Sequence, residues 1–172
     1  HIKISGINYE KYSIFIKFGY NFLPSNMSAS FALEQIKKLR KNIKIRNDNF
    51  RTLKNLFSNF DKYFKLPEKY SFVNTPWLAF PLVIKKNKKF DRKQLQIFFE
   101  SKNIQTRTIF TGNILKQPVM KNVYYKKQKG SEDVANDVMK NGILIGCHQG
   151  LSISNLNYIY KTFQNFAKIK KL

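Results

Sequence analysis

Residues 104–120, IQTRTIFTGNILKQPVM, decide how this chain is read. The first half alternates. Ile104, Thr106, Thr108 and Phe110 face one way and Gln105, Arg107 and Ile109 the other, the period-2 pattern of a strand. Thr111-Gly112-Asn113 breaks the run and Gln117-Pro118 closes it. Arg107, Asn113, Lys116 and Gln117 are thereby expected around one turn: a guanidinium fork, two amides and an ammonium. Such a cluster suits a polyol or a phosphate-bearing ligand. It equally suits an ordinary polar turn at the end of a strand.

Working outward, Asp91 is a good N-cap for a helix running to residue 102, with Leu95, Phe98 and Phe99 on its buried side. Residues 77–84, WLAFPLVI, read as a strand that is apolar on both faces, and Pro81 within it implies an edge or a bulge. Further back, residues 14–18 read as a brief buried strand or bend. Ser25 or Asn26 opens a helix whose apolar seam runs Ala32, Ile36, Leu39, Ile43, then Phe50, Leu53, Phe57 and Phe60. The seam is broken once, at Arg46-Asn47. A helix over residues 27–60 is about 50 Å long, more than a compact domain of this size needs, so it is expected to reach toward a neighbour. Downstream, residues 121–130 form a polar loop. Ser131 caps a short helix to Asn141, with Gly142 in the position of a C′ glycine. Residues 143–147 form another strand that turns at His148-Gln149-Gly150. Ser152 caps a last helix with the seam Leu156, Ile159, Tyr160, Phe163, Phe166 and Ala167. The expected class is α+β, with helices on one face of a small sheet.

The net charge is +22, from 32 Lys+Arg against 10 Asp+Glu. Nucleic acid, an acidic membrane or an anionic substrate would each answer to that charge. Only five of the 32 are Arg, and Lys, Asn, Ile, Phe and Tyr, the residues of AT-rich codons, are all abundant. The lysines are also spread along the chain, so most of the charge reads as compositional drift on solvated faces. No apolar run approaches ~18 residues, so no membrane span is expected. The first residues lack the apolar core of a signal peptide, and the missing initiator Met fits an internal cut of a longer chain. The single Cys147 excludes an internal disulfide framework, fits a reducing cytoplasm, and reads as a small buried residue at a strand end. There is no Gly-rich phosphate loop, no metal-spaced Cys/His set and no paired-carboxylate signature. His148 is too close to Cys147 in sequence for a dyad, because adjacent strand residues point to opposite faces.

Three segments carry a resemblance to a known family. Residues 106–118 follow the pattern TR-x-x-F-x-GN-x-x-x-QP. Residues 17–33, KFGYNFLPSNMSASFAL, resemble GYN-x-x-x-T-D-x-QAA, and residues 143–151, ILIGCHQGL, resemble the strand-turn IGCHHGL or IG-x-x-PGL. In order and spacing these are similar to DegT/DnrJ/EryC1/StrS-type sugar aminotransferases, and more narrowly to the sugar-nucleotide 3-dehydrase branch. The resemblance covers about residues 18–166.

It implies the C-terminal portion of a fold-type I aminotransferase architecture. Residues 1–62 would be the end of a large domain and a long inter-domain helix, and residues 63–172 a small domain. The cofactor implied is pyridoxal or pyridoxamine 5'-phosphate, held mainly by a large N-terminal domain that this chain lacks. Asn21 matches the residue that reaches across a homodimer to the neighbour's cofactor phosphate. Arg107, Asn113 and Gln117 match a segment that closes over the sugar nucleotide, and His148 lies near the same cleft. No catalytic residue falls within the chain. Leu23 departs from the Lys or Arg common at its position, and Asn26 from an Asp. The implied function is C3 dehydration of a 4-keto-6-deoxy sugar nucleotide for lipopolysaccharide or O-antigen deoxysugars, in a cytoplasmic enzyme. Amino transfer is the alternative, decided by whether a His or a Lys anchors the cofactor. A basic nucleic-acid-binding module is the rival outside the family, carried only by net charge, and an inactive structural fragment is a further one.

Overall fold

Ser25 opens the longest element: its Oγ accepts from the Ser28 N–H at 3.1 Å and so satisfies one of the helix's free amides. The helix that follows, α1 (Asn26–Ser58), has 33 residues and spans about 50 Å. The structure, a computed structural model, describes residues 2–4, 6–10, 14–17, 19, 25–68, 70–126, 130 and 132–172. Of the brief buried strand or bend expected at residues 14–18, the described residues 14–17 show a bend at Lys17 and no strand, with Phe15 and Ile16 exposed; a short hairpin, β1 (Ile2–Ile4) with β2 (Ile7–Tyr9), lies ahead of it.

The main sheet has four strands: β3 (Phe64–Lys65), β4 (Ala79–Ile84), β5 (Thr106–Thr108) and β6 (Gly142–Gly146). They lie in the order β3-β4-β6-β5, and every pairing is antiparallel. Helices α2 (Arg92–Glu100) and α4 (Ile153–Lys170) join the C-terminal half of α1 on one face. Period 2 does the sorting. Phe80, Leu82 and Ile84 of β4 and Ile143 and Ile145 of β6 meet Phe50, Leu53 and Phe57 of α1, Leu95 and Phe99 of α2, and Phe163 and Phe166 of α4. Phe57 alone touches the rings of Phe64, Phe80, Tyr160 and Phe163. The α+β class and the one-sided helices are as expected. So are the caps: Asp91 with Gln94, and Ser152 with Asn155, each form a reciprocal capping box.

Helix α3 (Glu132–Asn141) runs directly into β6, and its Met139 forms a separate small cluster with Ile7 and Ile14. The expected cap Ser131 lies outside the described residues.

Several details differ from the sequence reading. The strand at residues 104–110 shortens to three residues, because Phe110 takes a left-handed φ of 41° and turns its ring into solvent. Gly142 does not cap α3. It begins β6, and a Cβ there would stand 2.5 Å from the Val138 carbonyl and 2.7 Å from Ile109, so it is required by close approach. β4 is covered on one face only; Ala79, Pro81 and Val83 are half-buried on the other. Pro81 is tolerated because β3 pairs only with Val83 and Ile84, leaving that side of β4 without a strand partner at Pro81.

The N-terminal half of α1 stands clear of this core. Met27, Phe31, Leu33, Ile36 and Leu39 are all exposed, Met27 at 83%. The same helix thus gives its last third to the core while its beginning projects away.

Candidate functional site

On the sheet face away from the helices, the alternation that buries Thr106 and Thr108 turns Arg107 outward, opposite Leu144 of β6. Between that strand edge and the start of α4 runs a groove of about 370 Å³. Gln105, Arg107, Gly146, His148, Asn155 and Tyr158 supply its chemistry, and Leu144, Leu151 and Ile159 its apolar wall. Among the described residues its lining contains no Asp, Glu or Lys. Arg107 and His148, 41 positions apart by the chain numbering, are therefore brought to one place. Tyr158 is fixed by its hydroxyl, which donates to the Lys102 carbonyl at 3.0 Å.

The His148 turn is built from two directions. Within it, the Leu151 N–H donates to the His148 carbonyl at 3.1 Å and the Gly150 N–H to His148 Nδ1 at 3.1 Å. From outside, α1 holds it: Asn49 Nδ2 donates to the carbonyls of His148 (2.9 Å) and Leu151 (3.3 Å), and Arg46 Nε to Gln149 Oε1 (2.7 Å). The break in the α1 seam at Arg46-Asn47 is thus where the helix grips a turn, between its exposed beginning and the buried stretch from Phe50 to Phe57.

Asn113 and Gln117 are placed differently from the sequence expectation of one polar cluster. Both are buried, at 3% and 2% exposure, and neither lines the groove. Asn113 Oδ1 accepts from the Leu115 N–H at 3.0 Å and its Nδ2 donates to Asn136 Oδ1 at 2.9 Å. Gln117 Nε2 donates to the Thr111 carbonyl at 2.9 Å, and its Oε1 accepts from the Phe15 N–H at 3.1 Å. Their amides shape the 3₁₀ turns Ile114–Lys116 and Pro118–Asn122 that follow β5. Asn21 lies outside the described residues.

Cys147, just before the turn, is fully buried, and desolvation pushes its thiol up to about 11, partly countered by the Arg46 charge. Its Sγ lies 3.5 Å from the Trp77 carbonyl, in keeping with a packed strand-end residue. Away from the groove, Asp137 is held below its ordinary range, first by the hydrogen bond from Lys65 at 2.7 Å.

Sequence reasoning passed over Gln105, Asn155, Tyr158, Asn49 and Arg46. Gln105 was legible, since the alternation of residues 104–110 puts it on the same outward side as Arg107. Asn155 was hidden behind its role as partner of the Ser152 cap. Asn49 and Arg46 carry no local signal, because their partners are about a hundred residues away.

The sequence profile of the DegT/DnrJ/EryC1/StrS aminotransferase family matches residues 2–164. The lipopolysaccharide biosynthesis protein RfbH of Salmonella typhimurium is 29% identical over 148 residues, which are 86% of this chain and 34% of that protein. E. coli GDP-4-keto-6-deoxy-D-mannose-3-dehydratase with bound hydrated PLP superposes with a TM-score of 0.74 at 32% identity, covering 84% of this chain and 36% of that one. A mutant GDP-4-keto-6-deoxymannose-3-dehydratase with bound GDP-perosamine superposes with a TM-score of 0.66 at 29% identity, covering 86% and 38%. The chain spans between 34% and 41% of the length of the curated relatives it matches.

Proposed function

Because the chain belongs to the DegT/DnrJ/EryC1/StrS aminotransferase family, we propose that it is the C-terminal part of a sugar-nucleotide 3-dehydratase. The complete enzyme, a cytoplasmic homodimer, would remove the C3 hydroxyl of a 4-keto-6-deoxy sugar nucleotide during deoxysugar synthesis for lipopolysaccharide. The carrying observation is the groove, where a forked guanidinium and an imidazole share a carboxylate-free wall. That lining suits the phosphate and hydroxyl oxygens of a nucleotide-linked sugar. In this reading Arg107 grips the ligand and His148 donates to it. Asn113 and Gln117 serve the same segment from behind, holding the turn that follows the Arg107 strand. Residues 1–62 end the large domain and form the inter-domain helix, and residues 63–172 form the small domain.

The groove does not fit pyridoxal phosphate by itself. Among the described residues it has no lysine for a Schiff base and no carboxylate for a pyridine nitrogen. The reading therefore leaves the cofactor to the rest of the enzyme, with Asn21 reaching its phosphate across the dimer. The test uses the complete enzyme that carries this chain, charged with cofactor and given GDP-4-keto-6-deoxy-D-mannose. A product lacking the C3 hydroxyl is expected. A product that has gained an amine at C4 would assign the enzyme to the family's amino-transfer chemistry. No turnover, with no binding of the nucleotide sugar, would overturn the reading.

A further inference from the structure

We propose that α1 sets the hydrogen-bonding sense of the groove. Asn49 is a positioning residue that, with Arg46, holds residues 148–151 so that His148 turns an Nε2–H donor toward the groove beside Arg107. This rests on the reading of the groove as the ligand site.

The imidazole lies between two glycines. Its Nδ1–Cε1 edge is against Gly150, where a Cβ would stand 3.1 Å from Nδ1 and 3.2 Å from Cε1. Its Cδ2–Nε2 edge is over Gly146, 3.6 and 3.8 Å from where a Cβ would be, and Gly146 is part of the groove wall. The Gly150 N–H donates to Nδ1. A ring nitrogen that accepts cannot carry the proton, so the neutral ring holds its hydrogen on Nε2, at the groove edge.

That arrangement survives only while the turn keeps its shape. The His148 carbonyl closes the turn and is also the acceptor for Asn49, a side chain only 7% exposed. Without that amide, two carbonyls of the turn lose their outside donor, and among the described residues the Arg46–Gln149 bond is the hydrogen bond that still ties it to α1. With Nε2–H in place, Arg107 and His148 are both donors toward the ligand, and no lining carboxylate answers a cationic group. The wall then selects ligands rich in acceptor oxygens, phosphoryl groups above all.

The chain has two histidines, His1 and His148, so long-range proton–nitrogen spectra of the 172-residue chain separate them readily. At pH 8.5 His148 is expected to show the Nε2–H tautomer in clear excess of its share in an unconstrained histidine peptide. Asn49→Ala is expected to return the ratio to the peptide value. Gln149→Ala, which removes the Arg46 hydrogen bond at a residue outside the core, should move it part of the way. An Nδ1–H tautomer, a peptide-like ratio in the unaltered chain, or a ratio indifferent to both substitutions overturns the proposal. These spectra contain no ligand, so their failure leaves the sugar-nucleotide reading standing. That reading fails separately if the complete enzyme neither turns over nor binds the nucleotide sugar.

Discussion

Arg107 is a side chain whose position follows from one step of alternation. Thr106 and Thr108 go inward, so the guanidinium goes outward, and it is exposed in the groove. Lys in its place keeps the charge and loses the planar fork. Arg107→Lys is expected to cost the complete enzyme roughly 1.5–3 kcal/mol in kcat/KM, the range for charged hydrogen bonds. The melting temperature should hardly move, because the side chain is outside the core. Equal losses in turnover and in stability would return Arg107 to a structural role. Cys147 gives a prediction in pH. Its folded thiol keeps its proton up to about 11, whereas an unfolded thiol releases it near ~8.5. The stabilisation is thus fully present below about pH 8.5 and is lost as pH rises toward the folded value. Denaturant unfolding of the parent and Cys147→Ala at pH 8 and pH 10.5 should show the parent's advantage shrinking by roughly 2 kcal/mol. A constant difference would mean that the thiol is not desolvated.

At the scale of elements, the turn after β5 is tied to α3 through Gly112. Its φ is +63°, and a Cβ there would stand 2.5 Å from Met139 Cβ and 2.9 Å from Met139 Cα. Gly112→Ala meets both a left-handed backbone and an immovable neighbour, so urea unfolding should register a loss of about 2–4 kcal/mol. A loss under 1 kcal/mol would show that α3 moves freely against the turn. Elements like α2, α4 and β4 were legible because their signals are local. Asp91 and Ser152 are caps, Leu156 to Phe166 keep a helical period, and residues 79–84 are an apolar run. The C-terminal half of the α1 seam was legible for the same reason. What the residue types could not convey is which way a polar group faces. Asn113 and Gln117 look like ligand donors in sequence, yet their partners Asn136 and Phe15 come from other segments and draw them inward. The grip of α1 on the His148 turn was illegible for the same reason, and it appeared only as an interruption in an apolar seam.

For the molecule as a whole, the charge of +22 is set against three ion pairs among the described residues, none of them buried. If the lysines are solvated decoration, duplex DNA should bind weakly and without regard to sequence, with Kd of ~10⁻⁴–10⁻⁶ M at physiological salt. A nanomolar, sequence-selective complex in a filter-binding or anisotropy titration would reinstate the nucleic-acid module. Positive charge also keeps such chains apart in solution, but charge is not the only safeguard here. β3 pairs only with Val83 and Ile84, so among the described residues no strand pairs with that side of the strand Ala79–Ile84, an apolar AFPLVI, from Ala79 to Leu82. An apolar edge of this kind is a template on which a second copy can add a strand, and then a third. Pro81 sits in that stretch with no N–H to offer an incoming chain, so it acts as a gatekeeper against fibril growth. Pro81→Val should leave the fold intact and shorten the lag of thioflavin-positive aggregation several-fold, an effect that grows as salt screens the lysines.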